Sequence, residues 1–179
     1  MKRAASALAL AACAHAAPAG PAAAVRAEVD RADAAEQARR HDLAREHYQR
    51  AIALAHDADS IGFARHEYAE TLVTWGELPE ARAQLEIAVA AQPGDASAWH
   101  DLGLLRHHAG DDPGAIAALA RAEQLAPRDA RPRTALAALY WQRGDKASAA
   151  REYRGMLALE LPDRLRAKVE WALAELAKP

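Results

Sequence analysis

The chain has 179 residues, of which 51% are hydrophobic but only 5% aromatic, and it carries a formal net charge of -2 with a pI near 6.4. That length holds one compact domain or a short repeat array. The lack of basic excess removes the electrostatic footprint of a nucleic-acid binder, and no run approaches the roughly 18 apolar residues that a membrane span needs.

Much of the hydrophobic fraction is alanine, which buries little surface but lets helices approach closely. Runs of Val, Ile and Thr are absent, so the chain is expected to be all-α.

Residues 1–24 read as an address and a flexible linker. Lys2 and Arg3 form a short cationic start, an apolar run centred on Leu8 and Leu10 follows, and Pro18, Gly20 and Pro21 interrupt any helix. Leu10-Ala11-Ala12-Cys13 resembles a bacterial lipobox, in which Cys13 would be lipidated, and Cys13 has no second cysteine to pair with. Ordinary signal cleavage after Ala17-Pro18-Ala19 or Ala22-Ala23-Ala24 is the other route, and an uncleaved cytoplasmic tail the third.

From residue 25 onward helical periodicity scarcely stops. A Gly-acid step recurs every 34 residues, at Gly76-Glu77, Gly110-Asp111 and Gly144-Asp145, and other residues move in register with it. Ala81, Ala115 and Ala149 lie five after each glycine; Leu85, Leu119 and Tyr153 lie nine after; Ala88, Ala122 and Met156 lie twelve after. Such spacing means one helical hairpin copied several times, each copy burying its apolar stripe against the next.

The copies are expected at about residues 25–58, 62–95, 96–129 and 130–162. In the first, Ala44, Tyr48 and Ala51 keep the spacing of the second helix, but the turn from Arg39 to Asp42 lacks glycine and about three residues are added from Asp57 to Ile61. With a neighbour on one side only, it is expected to be the least stable copy. In the second, Ser60 or Asp59 should start a helix that ends at Gly76, and Pro79 should open the next. In the third, Asp95 caps the helix carrying Trp99, Leu102 and Leu105, and Asp112 caps the following one with Pro113 at its first position. In the fourth, Asp129 is the cap and Leu136, Leu139 and Tyr140 the stripe. A last helix over residues 163–177 places Leu165, Val169, Leu173 and Leu176 on one face and reads as the cap that closes the stack.

Trp99, Leu102, Gly103, Gly110, Ala115, Leu119, Ala122 and Pro127 together resemble the tetratricopeptide repeat signature. Arg106 departs from it where tyrosine is usual, and Arg133 where tryptophan is. The resemblance covers residues 25–178 and implies a right-handed superhelical solenoid of antiparallel helix pairs with a C-terminal capping helix. It also implies that ligands lie along a concave wall built by the first helix of each pair, and that Trp99 belongs to the interior.

Carried onto this chain, that wall holds Phe63, His66, Glu70 and Val73, then His100, Leu104, His107 and His108, then Arg131, Thr134, Ala138, Trp141 and Gln142. Leu104, Trp141 and Phe63 would be apolar anchors between polar groups, as suits a peptide or partner helix; Trp141 and Phe63 could equally be packing residues. Trp171 falls off the stripe of its helix and is either exposed or covers an edge.

The surplus of histidine suggests metal or pH sensing as an alternative. However, His100 and His107 are two turns apart, about 10 Å along a helix, so no metal-ligand set is assigned and no cofactor is expected. His107-His108 with Asp111 and Asp112 is a second histidine cluster, at a turn. Catalysis is not expected, for there is no phosphate-binding Gly-rich loop and no Ser-His-Asp arrangement. The sequence reads as an exported, periplasmic adaptor, tethered to the outer membrane if Cys13 is lipidated, that holds a protein partner and serves assembly of an envelope complex. A structural subunit of a larger assembly is the remaining alternative.

Overall fold

A computed structural model of the chain describes residues 20–178, so residues 1–19 of the signal-like segment, Cys13 among them, lie outside the described residues. Among the described residues there are nine helices and no strand: α1 (Pro21–Gln37), α2 (His41–Leu54), α3 (Ala58–Trp75), α4 (Leu78–Ala91), α5 (Ala96–His108), α6 (Asp112–Leu125), α7 (Ala130–Gln142), α8 (Lys146–Leu157) and α9 (Asp163–Leu176). Each odd helix packs against the next even one as a hairpin, each even helix packs on the next odd one, and α9 closes the last pair against α8. Four hairpins and a capping helix thus stack as a tetratricopeptide-like solenoid.

The hairpin turns share one chemistry. Gly76, Gly110 and Gly144 all have φ between 74 and 80°, and the residue after each donates its N–H to a carbonyl five back: Glu77 to Leu72, Asp111 to Arg106 and Asp145 to Tyr140, each at 2.9 Å. This left-handed end satisfies carbonyls that the terminating helix would otherwise leave bare. The first hairpin makes the same turn without glycine: Arg39 has φ 56° and Arg40 donates to Ala35 at 2.9 Å. Arg39 sits 37 residues before Gly76, and the three extra residues are taken up in the connector before α3.

Several helix starts differ from expectation. α1 opens at Pro21 rather than after Ala24, because a proline in the first position lacks only an N–H that has no partner inside the helix. α3 is capped by Asp57, not Ser60 or Asp59. Asp57 Oδ1 accepts from the Ser60 N–H at 2.8 Å, and Ser60 Oγ accepts from the Asp57 N–H at 3.3 Å. α6 is capped by Asp111, whose carboxylate accepts from the Gly114 N–H at 3.0 Å, which moves Asp112 and Pro113 into the first turn. Asp95 and Asp129 cap α5 and α7 as expected.

The core is built where the repeat register places it. Ala81, Ala115 and Ala149 are fully inaccessible, as are Leu119, Ala122 and Met156. Small residues set the helix spacing: a Cβ on Gly103 would lie 2.6 Å from Leu119 Cγ, so α5 and α6 touch at that point. Trp99 is only half-buried, against the expectation that it is interior. It packs on the edge of the core and donates Nε1–H to the Pro93 carbonyl at 3.1 Å. The same register position holds Arg65 one repeat earlier and Arg133 one repeat later. Arg133 reaches Glu123 at 2.6 Å and the buried Glu152 at 3.5 Å, so a paired guanidinium fills the tryptophan's place.

The first hairpin is tied down by polar side chains. Arg45 of α2 makes two bonds to Glu77, at 2.7 and 2.9 Å, and lies over the Trp75 ring. The buried Tyr48 and Tyr68 stack at 5.0 Å; Tyr48 donates to Asp33 at 2.6 Å and Tyr68 to Glu80 at 3.1 Å. Trp75 donates Nε1–H to Glu36 at 2.8 Å.

Candidate binding surface

The odd helices α3, α5 and α7 supply the face on which the sequence placed its binding residues, and the structure divides them into three settings. Near the centre, a groove of about 240 Å³ is lined by Glu70 and Val73 of α3, Leu85 of α4, and Asp101, Leu104 and Leu105 of α5. Val73 and Leu104 are both 43% exposed, so they present aliphatic surface to any molecule lying across the two helices. Here the expected grouping of Glu70, Val73 and Leu104 is realised.

Toward the N-terminal end, polar residues line a cavity of about 470 Å³ that includes Arg26, Asp59, Phe63, His66, Glu67 and Asp95. Phe63 is half-buried against the core, with the Arg26 guanidinium 4.7 Å from its ring centre, so cation–π contact covers one face of it. His66 has its side chain 12% exposed and stands among carboxylates: Asp101 at 3.0 Å, Asp95 at 3.2 Å and Glu70 at 3.6 Å. Burial works to lower the His66 pKa, but the hydrogen bond to Asp101 and the charges of Asp95, Asp101 and Glu70 outweigh it, and the net shift is upward. For Asp101 burial works upward, and hydrogen bonds from His100 and His66 overcome it, holding the carboxyl at about 2. Burial, with help from neighbouring Glu70 and Asp33, raises Glu67.

The histidines do not converge as a set. His100 is buried and bonds Asp101 through Nδ1 at 2.9 Å. His107 turns to Asp112 at the start of α6, 2.7 Å away, realising half of the expected turn cluster. His108 lines a different recess, with Gly76, Pro79 and Arg82, away from the central groove. The two helical turns between His100 and His107 account for this separation. Arg131 folds back onto Asp129, the cap of its own helix, with Nε 2.9 Å from the carboxylate.

At the C-terminal end lies a larger, mostly apolar groove of about 570 Å³. Thr134, Ala138, Trp141 and Gln142 of α7 form one side, Tyr153 and Met156 of α8 the floor, and Leu165, Lys168, Val169, Trp171 and Ala172 of α9 the other side. The Trp141 ring is near-parallel to that of Trp171, centroids 6.4 Å apart, and meets Tyr153 edge-on at 6.3 Å. Trp171 is 63% exposed and Trp141 36%, so the pair forms a partly uncovered aromatic ridge. Trp141 is thus both a packing residue and an accessible one.

Sequence reasoning missed the α9 half of this groove, although Trp171 lying off its apolar stripe was a signal. It also missed Asp101, which sits one position beyond the wall residue His100 and reads as an ordinary surface acid.

No family model matches this sequence, and no curated protein matches it. Solved structures do resemble it. A crystal structure of MamA superimposes with a TM-score of 0.70 at 20% identity over 86% of this chain and 86% of that one. The APC/C hetero-tetramer Cut9-Hcn1 gives 0.66 at 19% identity, over 86% of this chain but 30% of that chain. PilF of Pseudomonas aeruginosa gives 0.67 at 17% identity, over 86% and 73%. At these identities the likeness establishes the fold: an all-helical, tetratricopeptide-like solenoid.

Proposed function

We propose that this protein is an interaction scaffold whose odd-helix face holds a segment of a partner protein. The observation that carries the reading is the C-terminal groove, where two tryptophans and a tyrosine converge from three helices and remain partly open to solvent. Aromatic residues in a well-formed apolar recess are where binding energy concentrates, because they offer large area at small entropic cost. The central Val73 and Leu104 strip extends that surface, giving a bound helix or extended segment a second apolar contact. Polar groups on the same helices, Arg131 with Asp129 and the His66 carboxylate cluster, would set register more than affinity. The Cut9-Hcn1 neighbour is by its description a hetero-tetramer, which agrees with the same fold serving assembly.

We further propose export, by lipidation of Cys13 or by signal cleavage, and a role in assembling an envelope complex. The signal-like residues 1–24 support this. Cleavage after Ala19 would leave α1 whole, since Gly20 is its cap and Pro21 its first residue.

A photo-crosslinking amino acid at position 171 in the native cell identifies the partner. Trp141→Ala is expected to weaken binding of the captured protein by at least ~1 kcal/mol, about fivefold, at unchanged helicity. Unchanged affinity removes the aromatic groove as the site. Mass spectrometry of the mature chain distinguishes an acylated Cys13 from an N-terminus at Gly20 or Val25.

A further inference from the structure

His66 and Glu70 stand one turn apart on α3 and share a face, and α5 brings Asp101 against them. One donor atom from each of the three lies within 4.8 Å of the other two. His66 Nε2 is 3.0 Å from Asp101 Oδ2 and 3.6 Å from Glu70 Oε1. In four-coordinate zinc with bonds of about 2.0–2.1 Å, ligand atoms sit roughly 3.3–3.4 Å apart. The two measured separations straddle that value, so small side-chain movements would bring both carboxylates and the imidazole onto one ion.

We propose that His66, Glu70 and Asp101 form a binding site for a divalent transition-metal ion of the zinc class. The surroundings are built as such a site requires. A metal-binding imidazole is normally oriented by a carboxylate that accepts its other N–H, and His66 Nδ1 is 3.2 Å from Asp95 Oδ2. Asp95 is itself immobilised, because its Oδ1 accepts the Ser97 and Ala98 N–H groups at the start of α5. Asp101 is divided in the same way: Oδ1 takes the bond from His100 at 2.9 Å and Oδ2 faces His66 Nε2. One oxygen of each aspartate is therefore held by the fold and the other is presented to the imidazole.

Charge selects the ligand. Glu70, Asp95 and Asp101 surround the His66 imidazole, with His100 bonded to the far oxygen of Asp101, and the guanidinium whose field reaches Glu70 and Asp101, that of Arg131, is engaged with Asp129. A proton on Nε2 can bond only one acceptor well, Asp101 at 3.0 Å, and leaves Glu70 at 3.6 Å without a hydrogen bond. A dication would engage all three groups and neutralise both carboxylates. One imidazole nitrogen and two carboxylate oxygens make a hard-to-borderline donor set suited to zinc. Three protein ligands leave a coordination position open, and Glu70 and Asp101 also line the central groove, so a donor side chain of a bound segment could complete the shell.

The test is calorimetric titration of zinc chloride into chelator-stripped full-length chain carrying Cys13→Ala, which removes the thiol as a competing ligand. One site per chain is expected. His66→Ala and Asp101→Asn should each abolish it, and Asp95→Asn, which removes the orienting carboxylate while keeping an oxygen to cap α5, should weaken it about 10- to 100-fold. Should His66→Ala lose helicity by circular dichroism, the exposed Glu70→Gln carries the same test. No heat beyond dilution in the parent chain overturns the proposal, as does binding that survives both His66→Ala and Glu70→Gln, which would place the ion elsewhere. Because zinc is the only ligand added, the outcome is independent of whether the aromatic groove holds a partner.

Discussion

The first two hairpins and the last two solve the same packing problem with different side chains. In α1 to α4 the large aromatics face inward and are bonded: Tyr48 and Tyr68 are buried, stacked and paired with Asp33 and Glu80, and Trp75 is held by Glu36 and Arg45. In α7 to α9 the two tryptophans face outward, Trp141 and Trp171 forming a ridge beside a groove, while Tyr140 packs on the core. The half that follows the repeat signature less closely is interlocked by specific polar contacts, whereas the half nearer the signature keeps aromatic surface available. Regular register suffices to stack hairpins through alanine and leucine, and that leaves bulky residues free for binding. Where the register slips, as between Arg39 and Gly76, specific bonds supply the alignment.

The sharpest way to break this contrast is to truncate one aromatic from each region. Tyr48→Ala, which empties a buried site and strands the Asp33 carboxylate, is expected to cost about 3–5 kcal/mol in urea denaturation. Trp171→Ala should stay within ~0.5 kcal/mol, as exposed positions usually do. Equal losses would abolish the distinction between a structural and a presenting half. An effect smaller than that of Tyr48→Ala is expected from Gly103→Ala, whose new Cβ must displace Leu119 from 2.6 Å. Overpacking there should cost about 1–3 kcal/mol, and a neutral outcome would mean that α5 and α6 can part without loss. Arg39→Gly should stabilise the chain by about 0.5–1 kcal/mol, by relieving the left-handed conformation at the one hairpin turn that lacks glycine. Its effect reads out most directly as slower hydrogen exchange in α1 and α2, and destabilisation would show that the arginine side chain contributes more than its backbone strain costs.

Much of the architecture was legible because it is written locally. The glycine period gave every hairpin turn from Gly76 onward, and Asp95 and Asp129 marked their helices. Errors came where two adjacent residues could serve: Asp111 over Asp112, and Asp57 over Asp59 or Ser60, choices made by which carboxylate reaches an N–H two or three residues on. The candidate site was less legible. Glu70, Val73 and Leu104 share a groove as expected, yet His107 and His108 turn away to other contacts, and only the tertiary structure brings Asp101 to His66 and Trp171 to Trp141.

Helix content, the hairpin repeat and the buried alanine positions are thus fixed by the sequence alone, because each depends on spacing within a few turns of one chain segment. Which aromatic is covered and which stands free was decided only by the stacking of hairpins. The meeting of His66 with Asp101, 35 residues away, was decided in the same way. Such contacts depend on side chains from separate helices arriving at one point, and the periodicity of a single strand of sequence carries no measure of that distance.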